Sequence, residues 1–204
     1  EQYAGITTMT VRFTGADSIG AQAENKISAL VTRKLPVKFG GVWSAPQPTN
    51  DIIPFVYHVL RSVNYDFNRA DQDELDRIHQ VLVENEFEYS WEHTGGTVSE
   101  VLAQVLAAGY CEMTTVDVKL SIVRDEPRSQ YEQMFSQQSF ARNKQLSKVV
   151  ALPRPDDADG VDVEFLNRET WTKDVVECRL DGDLGRKVEK VTANGITDRT
   201  KAWK

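Results

Sequence analysis

Cysteine is nearly absent. Cys111 and Cys178 are the only two in 204 residues, too few and too far apart for a disulfide framework or a zinc site. Cys111 stands among apolar residues and Cys178 in a strand-like run, so both read as small core side chains. A 111–178 disulfide stays open but is not indicated. Histidine is almost as scarce, with His58, His79 and His93 alone. No two are spaced i,i+3 or i,i+4, which excludes a helical metal pair, and each reads as a partly exposed or core-edge residue. There is no run of about 18 apolar residues to span a membrane. Gly-x-Ser-x-Gly elbows, Walker loops and Gly-x-Gly-x-x-Gly fingerprints are all missing. The formal charge of −7 argues against a nucleic-acid backbone partner, which calls for a concentrated basic surface. The expectation is a chain with no catalytic, cofactor-binding or metal-ligating residue and no enzymatic activity.

Weaker candidates remain. Gly95-Gly96 precedes a helix start, where phosphate can bind in principle, but no lysine adjoins it and Thr97 already caps the helix. The acidic group Asp156, Asp157, Asp159, Asp162 and Glu164 invites a calcium reading. It fails the EF-hand spacing, because position 5 from Asp157 is Val161 and the position-6 glycine is absent. Asp181-Gly-Asp183-Leu-Gly185 is a short turn with carboxylates. Trp43, Trp91, Trp171 and Trp203 offer a sugar-binding platform, although tryptophan more often covers a core edge or a subunit seam.

What the chain does contain is architecture. A hydrophobic share of 40% and a charged share of 27% are ordinary for a globular protein. Residues 9–14 alternate as a strand, residues 15–20 form a polar loop, and residues 26–35 give a second strand rich in Ile, Val and Thr. A Gly/Pro-rich connector from Pro36 to Pro48, with Trp43 in its middle, is the best candidate boundary. It sets a β-rich N-terminal segment, residues 1–40, as a partial domain apart from an α+β domain of residues 41–204. Asn50 or Asp51 caps a helix running to about Val63, with Pro54 tolerated in its first turn. Asp71 and Glu74 form a capping-type pair for a helix to about Asn85. Residues 87–91 alternate aromatic with polar, as a half-buried strand would.

Residues 97–127 are the most informative stretch. Thr97 and Glu100 have N-cap and N3 spacing, and Val98, Val101, Leu102, Val105 and Leu106 share one helical face. Gly109 stands where a left-handed residue would stop the helix. A hairpin follows, alternating through Val116, Val118, Leu120 and Ile122, with Asp117, Lys119, Ser121 and Arg124 outward. Residues 131–148 are Gln-, Ser- and Arg-rich and read as an irregular excursion. Strands are expected at 161–166, 175–180 and 187–192. The chain begins with Glu1 and shows no signal-peptide layout. It reads as an excised piece of a longer polypeptide whose last residues, from Asp198, start a helix cut short.

Four stretches carry a family resemblance, in order through most of the chain. They are Ser28-Ala-Leu-Val-Thr-Arg-Lys-Leu-Pro-Val-Lys-Phe-Gly-Gly-Val-Trp-Ser44 with the helix after it; Asp71-Gln-Asp-Glu-Leu-Asp-Arg-Ile78; the helix, Ala-Gly and hairpin ending Val-Arg-Asp-Glu-Pro127; and Gly160-Val-Asp-Val-Glu-Phe-Leu166 with Val191-Thr-Ala-Asn-Gly-Ile-Thr-Asp-Arg-Thr-Lys-Ala-Trp203. Together they resemble the tail-tip, or host-specificity, proteins of lambda-like siphophages and related prophages. The resemblance implies a baseplate-hub-like, β-barrel-like fold of antiparallel strands with a short helical middle, spanning 41–204 and truncated at its C-terminus. It implies a structural part of the virion tail tip, assembled in the cytoplasm of the bacterial host. The full-length protein would be a homotrimer, contacting the tail tube, distal tail and tape-measure proteins and meeting a bacterial surface receptor through regions absent here. No family catalytic residue carries over. The strands 87–91, 116–123 and 161–166 would supply edges for a ring, and an acidic chain suits a conduit that DNA crosses without sticking. The competing readings are a carbohydrate- or receptor-binding module of a phage tail and a cell-wall-degrading tail hydrolase.

Overall fold

The Gly/Pro-rich stretch that reads as a connector is instead a pair of nested ladders. In the computed structural model, which describes residues 29–127 and 157–204, β1 (Lys34–Leu35) pairs antiparallel with β4 (Gln47–Pro48), and β2 (Lys38–Phe39) with β3 (Val42–Trp43). Gly40 and Gly41 take φ of 54° and 80° at the tip, the positive pair that a tight two-residue hairpin turn requires. Pro36 and Pro46, the next opposed pair after Leu35↔Gln47, end the β1–β4 ladder by removing donors, whereas beyond β2–β3 the Val37 amide turns to Ser44 Oγ. The chain divides into two compact units, residues 1–31 and 32–204, and every helix and strand among the described residues lies in the second. The expected strand at 9–14, the loop at 15–20 and the excursion at 131–148 lie outside the described residues. Of the expected strand at 26–35, residues 29–33 are irregular and only β1 pairs.

Three helices follow. Helix α1 (Ile52–Ser62) starts at Asp51, whose side chain makes no capping bond. The Asp51 amide is instead taken by Thr49 Oγ1 at 3.1 Å. Helix α2 (Gln72–Glu84) is capped by Asp71, which accepts from the Glu74 amide. The Glu74 carboxylate turns away to Arg77, so this box is half made. Helix α3 (Val98–Ala107) has the complete reciprocal box, with Thr97 N donating to Glu100 at 2.8 Å and Glu100 N to Thr97 Oγ1 at 3.3 Å. Their apolar faces meet in one core of Ile52, Ile53, Val56, Leu75, Ile78, Leu82, Leu102, Val105 and Leu106, all 2 % exposed or less. Each such side chain contributes about 1.5–3 kcal/mol by leaving water.

Residues 87–91 are not a strand. Phe87 and Tyr89 are buried and Glu88 exposed, as the alternation predicts. The ladder is a single bridge, Asp51 to Glu88. The neighbouring amides go to unrelated partners, Tyr89 N to Asn50 O and Ser90 N to Gly195 O. An extended segment wedged between two others buries alternate residues without joining a sheet.

Strands β5 (Cys111–Val116) and β6 (Lys119–Arg124) pair antiparallel from Cys111↔Arg124 to Val116↔Lys119. The hairpin therefore turns at Asp117 and Val118, where a continuous strand at 116–123 was expected, and both take positive φ, 48° and 69°. Ser121, expected outward, is 2 % exposed and donates to Asp71 at 3.2 Å. The left-handed residue after α3 is Tyr110, with φ 56°, and not Gly109. Gly109 is needed for space: a Cβ there would lie 2.8 Å from Leu82 Cδ2 and 3.1 Å from Ile52 Cδ1.

The last region is a three-stranded sheet in the order β8–β7–β9, made by β7 (Gly160–Leu166), β8 (Lys173–Cys178) and β9 (Val188–Thr192). Strand β8 is antiparallel to β7, while β9 is parallel to it, against the expectation of antiparallel strands alone. Helix α4 (Arg199–Trp203), capped by Asp198, lies over β7 and β8 and buries Ala202 with Phe165 and Val176. The architecture is mixed α+β, with small open sheets and four α-helices among the described residues. No sheet closes into a barrel among them. None of the described helices is long and apolar enough to cross a membrane.

Candidate functional site

His58 and His93 both pack on Phe55, with ring centroids 6.2 and 5.9 Å from it, and His79 lies on a different helix. His58 on α1 is half-buried, and burial together with Arg33 and Arg61 lowers its pKa. His93 is stacked on Tyr89 and Phe55 and shares a 2.7 Å hydrogen bond with the Tyr89 hydroxyl. His79 is 2 % exposed and neither ring nitrogen has a partner. No group of three metal-capable side chains occurs among the described residues.

The acidic residues already have work within the fold. Asp159 accepts from the Arg186 and Lys187 amides at 3.0 and 2.8 Å, which holds its pKa below the ordinary carboxylate range. Asp162 pairs with Arg179 at 2.7 Å and Glu164 with Lys173 at 2.6 Å. Asp156 lies outside the described residues. The Asp181–Asp183 turn stays a turn, closed by the Asp183 amide on Leu180 O. At Gly95-Gly96 the Glu100 carboxylate sits on the Thr97 amide, so the place an anion would take at α3 is filled by a charge of the same sign.

Both cysteines are free thiols. Burial pushes the Cys111 thiol up to about 11, so it stays protonated near neutrality. Cys178 rests against the α4 end, with its thiol 3.5 Å from Trp203 O. The tryptophans are exposed by 36 % at Trp43, 46 % at Trp91, 43 % at Trp171 and 54 % at Trp203. Trp43 is engaged, with the Arg61 guanidinium 4.1 Å above its ring and Tyr57 edge-on at 4.9 Å. A cleft lined by Phe87, Ala108, Arg168, Ile196 and Lys201 encloses about 10 Å³, room for one water.

Strand edges are the feature left open. Strand β6 is covered at one point, where Ala70 bridges Leu120 and the Asp71 amide bonds Leu120 O at 2.8 Å. The outer edges of β5, β8 and β9 have no strand beside them among the described residues. Strand β7, expected as an edge, is the central strand of its sheet. Apolar side chains lie along the open strands: Val116 is 49 % exposed on β5, Val175 46 % on β8 and Val191 49 % on β9. Val118, at the β5–β6 tip, is 79 % exposed. Holding a β-branched residue at positive φ costs about 1–3 kcal/mol. The face of the sheet opposite α4 carries the Asp162–Arg179 and Glu164–Lys173 pairs, which suit water.

Sequence reasoning missed the polar contacts that tie elements together. Lys38 reaches Asp76 at 2.9 Å and Gln72 at 3.1 Å from a 9 % exposed position, and Gly195 accepts the Ser90 amide beneath the Tyr89 ring. A lysine between Val and Phe carries no sign of burial, because its partner is 38 residues away. No protein-family model matches the chain, and no curated protein matches it.

Proposed function

We propose that this chain is a structural component of a bacteriophage or prophage tail tip, a hub-like part linking the tail tube to host-recognition regions. The observation that carries the reading is the set of uncovered outer edges on β5, β8 and β9 among the described residues, beside half-exposed valines. Such edges are self-adhesive unless a neighbour covers them, and a ring of identical subunits supplies that neighbour by symmetry. The ordered likeness to tail-tip proteins supports the same role. In this reading the chain is not an enzyme, the full-length protein is a trimer continuing the tail tube, and a barrel-like hub closes only between subunits. Receptor contact belongs to other regions of the longer protein.

A second reading, a carbohydrate- or receptor-binding module, draws on the four tryptophans, each exposed by at least 36 %. A glycan array probed with the chain separates the two, since the hub reading expects no specific glycan signal. The direct test is gold-labelled antibody against this chain on intact phage tails viewed by electron microscopy. Label confined to the end distal to the capsid supports the hub. Label along the tube, or on side fibres only, overturns it.

A further inference from the structure

We propose that His79 is the acid trigger of a latch, the β2–β3 hairpin, which is shut over α2 at neutral pH and lifts as the histidine takes a proton. The imidazole is 2 % exposed, with both nitrogens unpartnered. As a neutral ring it sits in that place at the cost of two unmade hydrogen bonds. As a cation it would be a buried charge without an acceptor, a far costlier state. Relief requires water or a new acceptor at the ring, and so the removal of some covering group.

The cover most easily removed is the hairpin. Phe39 of β2 packs its ring 4.8 Å from His79, and the element behind it is thin. Its ladder is two residues per strand, and its Gly40–Gly41 tip has nothing within 4 Å of either Cβ position. The hairpin is anchored at its base by the buried Val37 and beyond it by few contacts, Lys38 to Asp76 and Gln72 and Trp43 against Tyr57 and Arg61. Helix α1, by contrast, is fixed through six buried side chains.

The charged groups that reach His79 are Asp51 at the start of α1 and Asp76, three residues back on its own helix. Lys38 from β2 and the Tyr57 hydroxyl from α1 both engage Asp76, so that carboxylate is already spoken for. Burial outweighs the two carboxylates and lowers the pKa of His79 below 6.5. The sign follows. The shut state binds the proton less well than the open state, so closure is intact above about 6.5 and weakens as pH falls below it.

The test is amide hydrogen exchange of residues 37–44 at pH 7.5, 6.0 and 5.0, corrected for the chemical exchange rate. The expected result is an opening equilibrium that rises below about pH 6.5, approaching tenfold per pH unit. In His79→Phe the profile becomes flat, while His58→Gln and His93→Gln keep the wild-type slope. A wild-type profile that is flat over this range overturns the latch, as does an unchanged slope in His79→Phe. Should His79→Phe fail to fold, the wild-type protein still decides by NMR. Coincident midpoints for the His79 ring and the Lys38–Trp43 amides support the proposal, and separate midpoints contradict it.

Discussion

Among the described residues, seventeen buried side chains join α1, α2, α3 and the β5–β6 hairpin in one core, whereas the β8–β7–β9 sheet with α4 buries three, Phe165, Val176 and Ala202. The first region holds itself together by layers of helix on helix and helix on hairpin. The second is a sheet with one helix over one face and paired charges on the other. It is joined to the first along one seam, which includes Lys201 over the Phe87 ring and the Arg168–Glu88 pair. Ile196 packs against both clusters, Gly195 accepts the Ser90 amide, and the Tyr110 hydroxyl donates to Lys201 O at 3.0 Å. The difference separates a region with a deep core from one with a shallow core.

Truncation in the large core should be the most damaging change. Leu102→Ala removes a 2 % exposed side chain from the centre of the helical region and is expected to cost about 2–5 kcal/mol, read from the midpoint of urea unfolding. A cost below about 1 kcal/mol would mean that this region is not the main source of stability. Gly195→Ala attacks the joint between the regions. Its Cβ would fall 2.1 Å from the Tyr89 ring, at a φ of 86°. The expected loss is about 1–3 kcal/mol, with increased hydrogen exchange in β7–β9 and little change in α1–α3. Equal exchange in both regions would erase the distinction between them. Thr97→Ala removes one half of the α3 box and should cost about 1 kcal/mol, the smallest effect of the three.

Much of the helical region is legible in the sequence, because its signals are local. Thr97 with Glu100, Asp71 before α2 and the apolar spacing of α1 each act within one or two turns, and the structure places all three helices accordingly. What depended on distant partners was not legible. Alternation at 87–91 correctly marks Phe87 and Tyr89 as buried, but not that Asn50 and Gly195 take the amide bonds a strand would have made. Gly109 looked like a helix stop because Gly favours left-handed backbone. Its role is set by Leu82 and Ile52 crossing over it, and Tyr110 takes the strained position. The mixed direction of the last sheet was hidden for the same reason, since periodicity reports which face is buried but not which neighbour lies alongside. Of the site candidates, the acidic loops were legible as residues, while their engagement with backbone amides and arginines was not.

The proposed assembly covers the outer edges of β5, β8 and β9, open among the described residues, with copies of the chain itself. Light scattering of the purified chain across a concentration series tests it most directly. The expected result is a species of three times the 23.0 kDa subunit mass, growing in population with concentration. A mass that stays at one subunit throughout would contradict self-assembly through these edges.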